Sequence, residues 1–510
     1  MDAAKNLRRQ SLSVMLRRSA ERFGARVALA CGGAAWTYAE LDGVVDRLAN
    51  GLAGIGVAKG ARVAVVARNS HAFMALRFAV ARVGAVLVPV NFMLHADEAR
   101  YILEHAGTSL VFADATTLAM VREAVPGLPV YGLPGEHGAP PEGVPTWESL
   151  LGDAAPPEEV VDADDLLQII YTSGTESRPK GAMLTHGAVL WEYQSVILAC
   201  AVRDDAVMLN AMPLYHCAQL DAMIGPALQI GARNIVTGSA APENLLALVE
   251  KHRVTNLFVP PTVWIGLLRS PGFDAADLSS LTHGYFGASI MPGEVLKELM
   301  ARLPAVRFWN VYGQTEMAPV ATALQPHEHF ARPNSCGRPV MHVSTRVVDD
   351  DMNDVAPGEV GEVVHRSPQL MSGYWNDPEK TAAAFAGGWF HSGDLATVDT
   401  DGYITIVDRR KDMICSGGEN VSSREVEECV YTHPAVAEVA VVGLPDPRWI
   451  ETVCAVVVPR AGAMIDEAGL IAHCREMLAG YKAPKRVIFV EALPKNASGK
   501  TLKRELRGLA

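Results

Sequence analysis

Eleven residues, Tyr171-Thr172-Ser173-Gly174-Thr175-Glu176-Ser177-Arg178-Pro179-Lys180-Gly181, stand between two short apolar runs, Leu166 to Ile170 and Ala182 to Leu184. Apolar runs of that length read as buried strands, so the polar stretch reads as the loop joining them. The loop gathers hydroxyls, glycines and a lysine. Hydroxyls and exposed backbone N–H groups can ring a phosphate chain, glycine lets the backbone approach it, and lysine adds a positive point charge. The G-x-x-x-x-G-K-[ST] loop does not fit, because counting from Gly174 puts Pro179 at its second glycine and Gly181 at its Ser/Thr. The loop is therefore expected to hold a polyphosphate by another arrangement, the bland alternative being a polar surface hairpin.

The rest of the chain fits an α/β protein. Before about residue 150, helical and strand patterns alternate: Tyr38 to Gly56 helical, Arg62 to Val66 a strand, His71 to Val83 helical and Ala85 to Pro89 a strand. The alternation resumes after the loop, with strands expected near Ala206 to Asn210, Asn234 to Thr237 and Asn256 to Val259. From about Val340, short strands and Asp/Gly turns predict a β-rich subdomain. The charged run Arg409-Arg410-Lys411-Asp412 marks a hinge, followed by a basic, compact α+β tail. At 510 residues one core is not expected. A formal charge of −12 argues against a nucleic-acid partner. Arg77, Arg82 and Pro89 interrupt the longest apolar region, so no membrane span is expected there. Eight scattered cysteines without C-x-x-C or a signal peptide predict reduced thiols and a cytoplasmic protein.

Three more clusters suit a nucleotide. Asn310-Val311-Tyr312-Gly313-Gln314-Thr315-Glu316 offers an aromatic face, a hydroxyl and a carboxylate. Trp389-Phe390-His391-Ser392-Gly393-Asp394 ends in an acid that could accept from a ribose diol, with Arg409 fifteen residues on. Pro494-Lys495-Asn496-Ala497-Ser498-Gly499-Lys500 ends in a lysine able to meet charge developing on phosphorus.

In this order and spacing the motifs resemble the adenylate-forming (AMP-binding) superfamily, acyl-CoA synthetases among them. The resemblance spans almost the whole chain. It implies a large N-terminal domain (1–408) of two α/β subdomains plus a β subdomain, and a small mobile α+β C-terminal lid (409–510). It implies that Thr172, Ser173, Gly174, Thr175 and Lys180 hold ATP phosphates, and that Tyr312 stacks on adenine beside Gly287 and Ala288. Thr315 would touch the α-phosphate, Glu316 with Thr175 would hold Mg²⁺, and Asp394 with Arg409 would bind ribose. Lys411 would be the hinge, Lys500 the adenylation lysine, and Gly418 would line the pantetheine channel for CoA. Two departures stand out: Glu176-Ser177 replaces a usual Thr-Gly, and Ile450 follows Trp449 where the family often has glycine.

Amino-acid-activating relatives carry an Asp in the segment matching Pro213 to Ala218, where this chain has His216, so an acid lacking an α-amino group is expected. His216 is expected to shape the passage between nucleotide and acid rather than to act as a base, since a carboxylate is already ionised at neutral pH. The expected activity is acyl-CoA synthesis from a medium- or long-chain fatty acid through an acyl adenylate. The alternatives are an aryl acid, benzoate- or cinnamate-like, and a non-catalytic nucleotide-binding protein. The acid pocket is expected to be walled by Tyr215, His216, Val263, Trp264, Leu267, Tyr285, Phe286 and the stretch Met317 to Val320. Expected partners are ATP, CoA and a carboxylic acid, with a homodimer as a candidate assembly.

Overall fold

The loop's two flanking strands form an antiparallel hairpin, Leu166–Thr172 with Lys180–Thr185, in which Thr172 pairs with Lys180 and Tyr171 with Gly181. The computed structural model describes residues 9–153, 161–172, 178–289, 291–410, 412–416, 419–446, 449–496 and 501–509. The hairpin is one side of a seven-stranded sheet, in which Leu166–Thr172 continues into the parallel strands Val86–Pro89, Arg62–Val66, Thr108–Ala113 and Val130–Gly132. A nine-stranded sheet has Arg307–Gly313, His283–Gly287, Asn256–Phe258, Val207–Asn210, Arg233–Val236 and Val27–Cys31 running parallel in that order. An antiparallel four-stranded sheet follows, built on Ser344–Val348, Gly361–Arg366, Phe390–Val398 and Ile404–Arg409. A separate five-stranded sheet occupies the C-terminal part, with its own apolar core around Val426, Val441 and Val453. The α/β order read from the sequence is the order observed.

Local chemistry explains where the helices begin. Tyr38–Gly54 starts on a capping box: Thr37 Oγ1 accepts from the Glu40 N–H, and the Glu40 carboxylate accepts from the Thr37 N–H. His71–Arg82 starts on Ser70, whose hydroxyl accepts from the Phe73 N–H. From Ala72 onward that helix is buried all round, arginines included. Charge pairing makes this tolerable, because Arg77 meets Asp221 at 2.5 Å and Arg82 meets Asp42 and Asp46 at 2.6 Å each. Among the described residues no helix is long and apolar enough to cross a membrane.

Two local details stand out. The strand Ile404–Arg409 ends at Arg409, whose Cα pairs with Asp394. Ile450, where glycine was the family habit, has φ +69°, a region in which a β-branched residue is strained.

Several buried histidines are held neutral. Desolvation pushes His186 down to about 4 and His365 down to about 3, from the ordinary 6.5. The unfolded chain takes up these protons below about 6.5 and the fold does not. Stability is therefore intact above that value and falls as pH drops from 6.5 toward 3, by about 1.4 kcal/mol per pH unit for each such group. His365→Gln, which can keep a hydrogen bond to Thr345 in place of the 2.9 Å contact made by Nδ1, is expected to flatten the acid limb of the melting-temperature profile. An unchanged slope between pH 6 and 4 would refute this.

Candidate active site

In an open parallel sheet, ligands sit in the crevice beyond the carboxyl ends of the strands. Here one small cleft lies where three adjacent strands of the nine-stranded sheet end. Met212, Pro213, His216, Ala218 and Gln219 follow the strand Val207–Asn210; Phe258 and Pro260 end Asn256–Phe258; Ala288 follows His283–Gly287. The next strand, Arg307–Gly313, carries Tyr312 and leads directly into the turn Thr315–Met317. Sheet order thus brings together residues that are about a hundred positions apart in sequence.

The cleft wall is tightly fixed. Asn69 donates to Met212 O (2.8 Å) and Thr237 O (2.9 Å) and accepts from the Leu214 N–H (2.8 Å). Gln219 accepts from the Met212 N–H and donates to Asn210 at 2.6 Å. His216 caps the short helix Cys217–Gln219, its Nδ1 accepting from the Ala218 N–H. Ala288 adopts φ +63°, unusual for a residue with a Cβ. Gly287 is required by packing, since a Cβ there would lie 2.3 Å from Val311 O.

The candidate nucleotide residues also converge. The Tyr312 hydroxyl donates to Asp394 Oδ2 at 2.7 Å, and Arg409 Nε lies 3.4 Å from Asp394 Oδ1. Burial, with the Asp394 charge adding to it, pushes the Tyr312 phenol well above its usual value, so it remains a donor. Thr315 accepts from the Cys217 thiol at 3.3 Å, which joins the acid cleft to the Tyr312–Glu316 motif. Glu316 accepts from the Tyr374 hydroxyl at 2.8 Å, and the Lys180 ammonium sits 4.5 Å from the centre of the Tyr374 ring. Thr172 and Lys180 close the mouth of the hairpin, the Thr172 hydroxyl reaching Lys180 O at 3.5 Å.

Ser173, Gly174, Thr175, Lys411, Gly418 and Lys500 lie outside the described residues, as do Glu176 and Ser177. Several expected wall residues are elsewhere. Trp264 donates to Tyr285 O, the Tyr285 hydroxyl bonds Cys200 O and Asn256, and Phe286 packs by His329, so with Leu267 they belong to the core and do not line the cleft. Met212, Gln219, Phe258 and Pro260, which line this cleft, were not among the expected wall residues. Their signal was position: each follows, or sits at, the end of a strand that the sequence had already indicated.

A family model described as AMP-binding enzyme matches residues 16–375, and one described as AMP-binding enzyme C-terminal domain matches residues 425–500. The chain belongs to the AMP-binding enzymes. As such it is an AMP-forming acid–thiol ligase that uses ATP and CoA. This AMP-binding enzyme is 41% identical over 476 residues to a feruloyl-CoA synthase of Amycolatopsis sp, covering 93% of this chain and 94% of that one. It is 36% identical over 479 residues to the long-chain-fatty-acid–CoA ligase FadD13 of Mycobacterium tuberculosis, covering 92% of each. The crystal structure of the anthranilate CoA ligase AuaEII in complex with anthranoyl-AMP matches with a TM-score of 0.92 at 25% identity, over 98% of this chain and 97% of that one. Aryl and fatty acids are both represented among these, so the fatty acid expected from the sequence is one of two classes.

Proposed function

We propose that the acid is aryl, of the benzoate or phenylpropenoate kind, and that this enzyme converts it to its CoA thioester. The observation that carries the reading is the 41% identity to a feruloyl-CoA synthase, with which an apolar cleft lining that includes Pro213, Phe258 and Pro260 is consistent. Only His216 and Gln219 among the lining residues are polar, and neither lysine nor arginine is present to pair a second carboxylate.

In this reading the ionised carboxylate attacks the α-phosphorus of ATP and pyrophosphate leaves; the CoA sulfur then attacks the acyl carbon and AMP leaves. The protein positions the reactants and stabilises charge. Thr172 and Lys180, with Ser173, Gly174 and Thr175, hold the phosphates. Tyr312 covers adenine beside Gly287 and Ala288, Asp394 and Arg409 bind ribose, and Thr315 meets the α-phosphate. Lys500 supports adenylation, Lys411 is the hinge between 1–408 and 409–510, and Gly418 borders the pantetheine path. Glu316, with Thr175, would hold Mg²⁺, a hard cation that takes oxygen ligands. Bound there, Mg²⁺ would neutralise phosphate charge. All eight cysteines are free thiols, which suits the cytoplasm.

AMP release with CoA present, measured across ferulate, cinnamate, benzoate, octanoate, palmitate, malonate and acetate, tests the reading. An aryl acid is expected to exceed every alkanoate in kcat/KM by at least about tenfold, the scale of discrimination an apolar pocket achieves, with malonate poor. Preference for octanoate or palmitate would restore the fatty-acid reading. No AMP with any acid would favour a non-catalytic nucleotide-binding protein.

A further inference from the structure

Tyr374 has no part in the motifs read from the sequence, yet it touches two of them. It lies on the two-residue strand Gly373–Tyr374, which pairs antiparallel with Lys180–Thr185 so that Tyr374 faces Ala182. Lys180 is two residues back on the same face, and from that diagonal place its ammonium reaches the Tyr374 ring. On the other side the phenol donates to Glu316 Oε1. The backbone repeats this connection: the Met371 N–H donates to Glu316 O (2.8 Å), while the Ser372 and Trp375 N–H groups donate to Met183 O and Gly181 O. Residues 371–375 therefore tie the exit strand of the phosphate loop, in the seven-stranded sheet, to the Glu316 turn at the end of the nine-stranded sheet.

The placement is specific. Gly373 has φ +144°, and a Cβ there would meet Thr381 Cγ2 at 2.8 Å, while the Thr381 hydroxyl accepts from the Tyr374 N–H at 2.9 Å. Tyr374 and Glu316 are both buried. Among the described residues no ion pair joins Lys180 to Glu316. A lysine and a glutamate facing one buried site would otherwise neutralise each other. The phenol and its ring occupy both and leave each charge available to a ligand.

We propose that Tyr374 is a positioning residue that holds the Lys180 ammonium and the Glu316 carboxylate apart, one for phosphate and the other for the metal of a metal–ATP complex. The inference rests on the nucleotide roles given above. It predicts a coupling confined to the metal-bound nucleotide, which general loss of packing would not produce.

The test is a double-mutant cycle of Tyr374→Phe and Glu316→Gln, read by calorimetric titration with ATP plus Mg²⁺ and with ATP plus EDTA. Phenylalanine keeps the ring against Lys180 and removes only the hydroxyl. Tyr374→Phe is expected to weaken Mg²⁺–ATP binding about tenfold, the low end for a hydrogen bond to a charged group, and to change metal-free ATP binding less than about twofold. In the Glu316→Gln background it is expected to change neither. Equal weakening of both nucleotide forms, no weakening at all, or effects that multiply in the double variant would each overturn the proposal. Wild-type AMP release from acid and CoA is measured alongside. If the wild type binds Mg²⁺–ATP but releases no AMP, the ligase reading fails while the binding cycle still decides the role of Tyr374.

Discussion

Replacing Asp394 by alanine is expected to lower kcat/KM for ATP by about 10²-fold to 10³-fold with little change in the KM for CoA. A hydrogen bond to a charged group is worth about 1.5–3 kcal/mol, and in the proposed role the carboxylate accepts two from a ribose diol. Its oxygens already meet the Tyr312 phenol at 2.7 Å and Arg409 Nε at 3.4 Å. Each carboxylate oxygen accepts more than one hydrogen bond, so these contacts orient the group without saturating it. The substitution also removes the Asp394 partner of the half-buried Tyr312 hydroxyl, which loosens the ring proposed to cover adenine. A sugar-edited substrate separates the two effects. The wild type should prefer ATP over 2′-deoxy-ATP by at least about tenfold, and the alanine variant should not discriminate. A variant that keeps the preference would show that the ribose is held elsewhere.

Asp221→Ala should destabilise the large domain by about 3–5 kcal/mol, the cost of leaving a buried charge without its partner. Arg77 and Asp221 are both fully buried. Two nitrogens of Arg77, Nε and Nη1, already lack a partner among the described residues, so Nη2 carries its contacts to Asp221 and to the Tyr193 hydroxyl. The second oxygen of Asp221 accepts from Gln168 at 2.7 Å. Gln168 lies on the strand that enters the phosphate loop, and Asp221 lies in the π-helical turn Leu220–Ile224 just after the cleft wall. Binding should therefore weaken together with stability. Replacing both charges, as in Arg77→Met with Asp221→Leu, should recover most of the stability, because the penalty comes from an unpaired charge rather than a lost attraction. Urea midpoints for the single and double variants decide it. A single variant costing less than about 1 kcal/mol, or a double one as damaged as the single, would be inconsistent with this account.

Periodicity exposed the alternating helices and strands because each buries one face or one stripe, and that pattern is local. It carried the helix His71–Arg82 and the strand Arg62–Val66 to within a residue. It said nothing of why that helix tolerates Arg77, because Asp221 lies 144 positions away and arrives only through packing. Charge read along the chain treated Arg77 as a barrier to membrane insertion, but its buried partner was invisible.

The candidate site divides in the same way. The clusters around Lys180, Tyr312 and Asp394 could be picked out because hydroxyl, aromatic and carboxylate groups fall there in short runs, the pattern proposed to serve a nucleotide. The order of strands in the nine-stranded sheet was not legible, and it alone puts Phe258, His216 and Ala288 around one cleft. For the same reason Trp264 and Tyr285, apolar and near the right motifs, were assigned to the pocket although their hydrogen bonds turn them into the core. Tyr374 is the extreme case, on a strand of two residues with no periodicity to read, and tertiary pairing sets it between Lys180 and Glu316. The sequence by itself determined the family, the alternation of elements and the residue types offered to ATP, all of which follow from local pattern. The shape of the acid cleft and the partners of each buried charge were decided only by the tertiary structure, because they depend on which strand ends become neighbours when the sheets assemble.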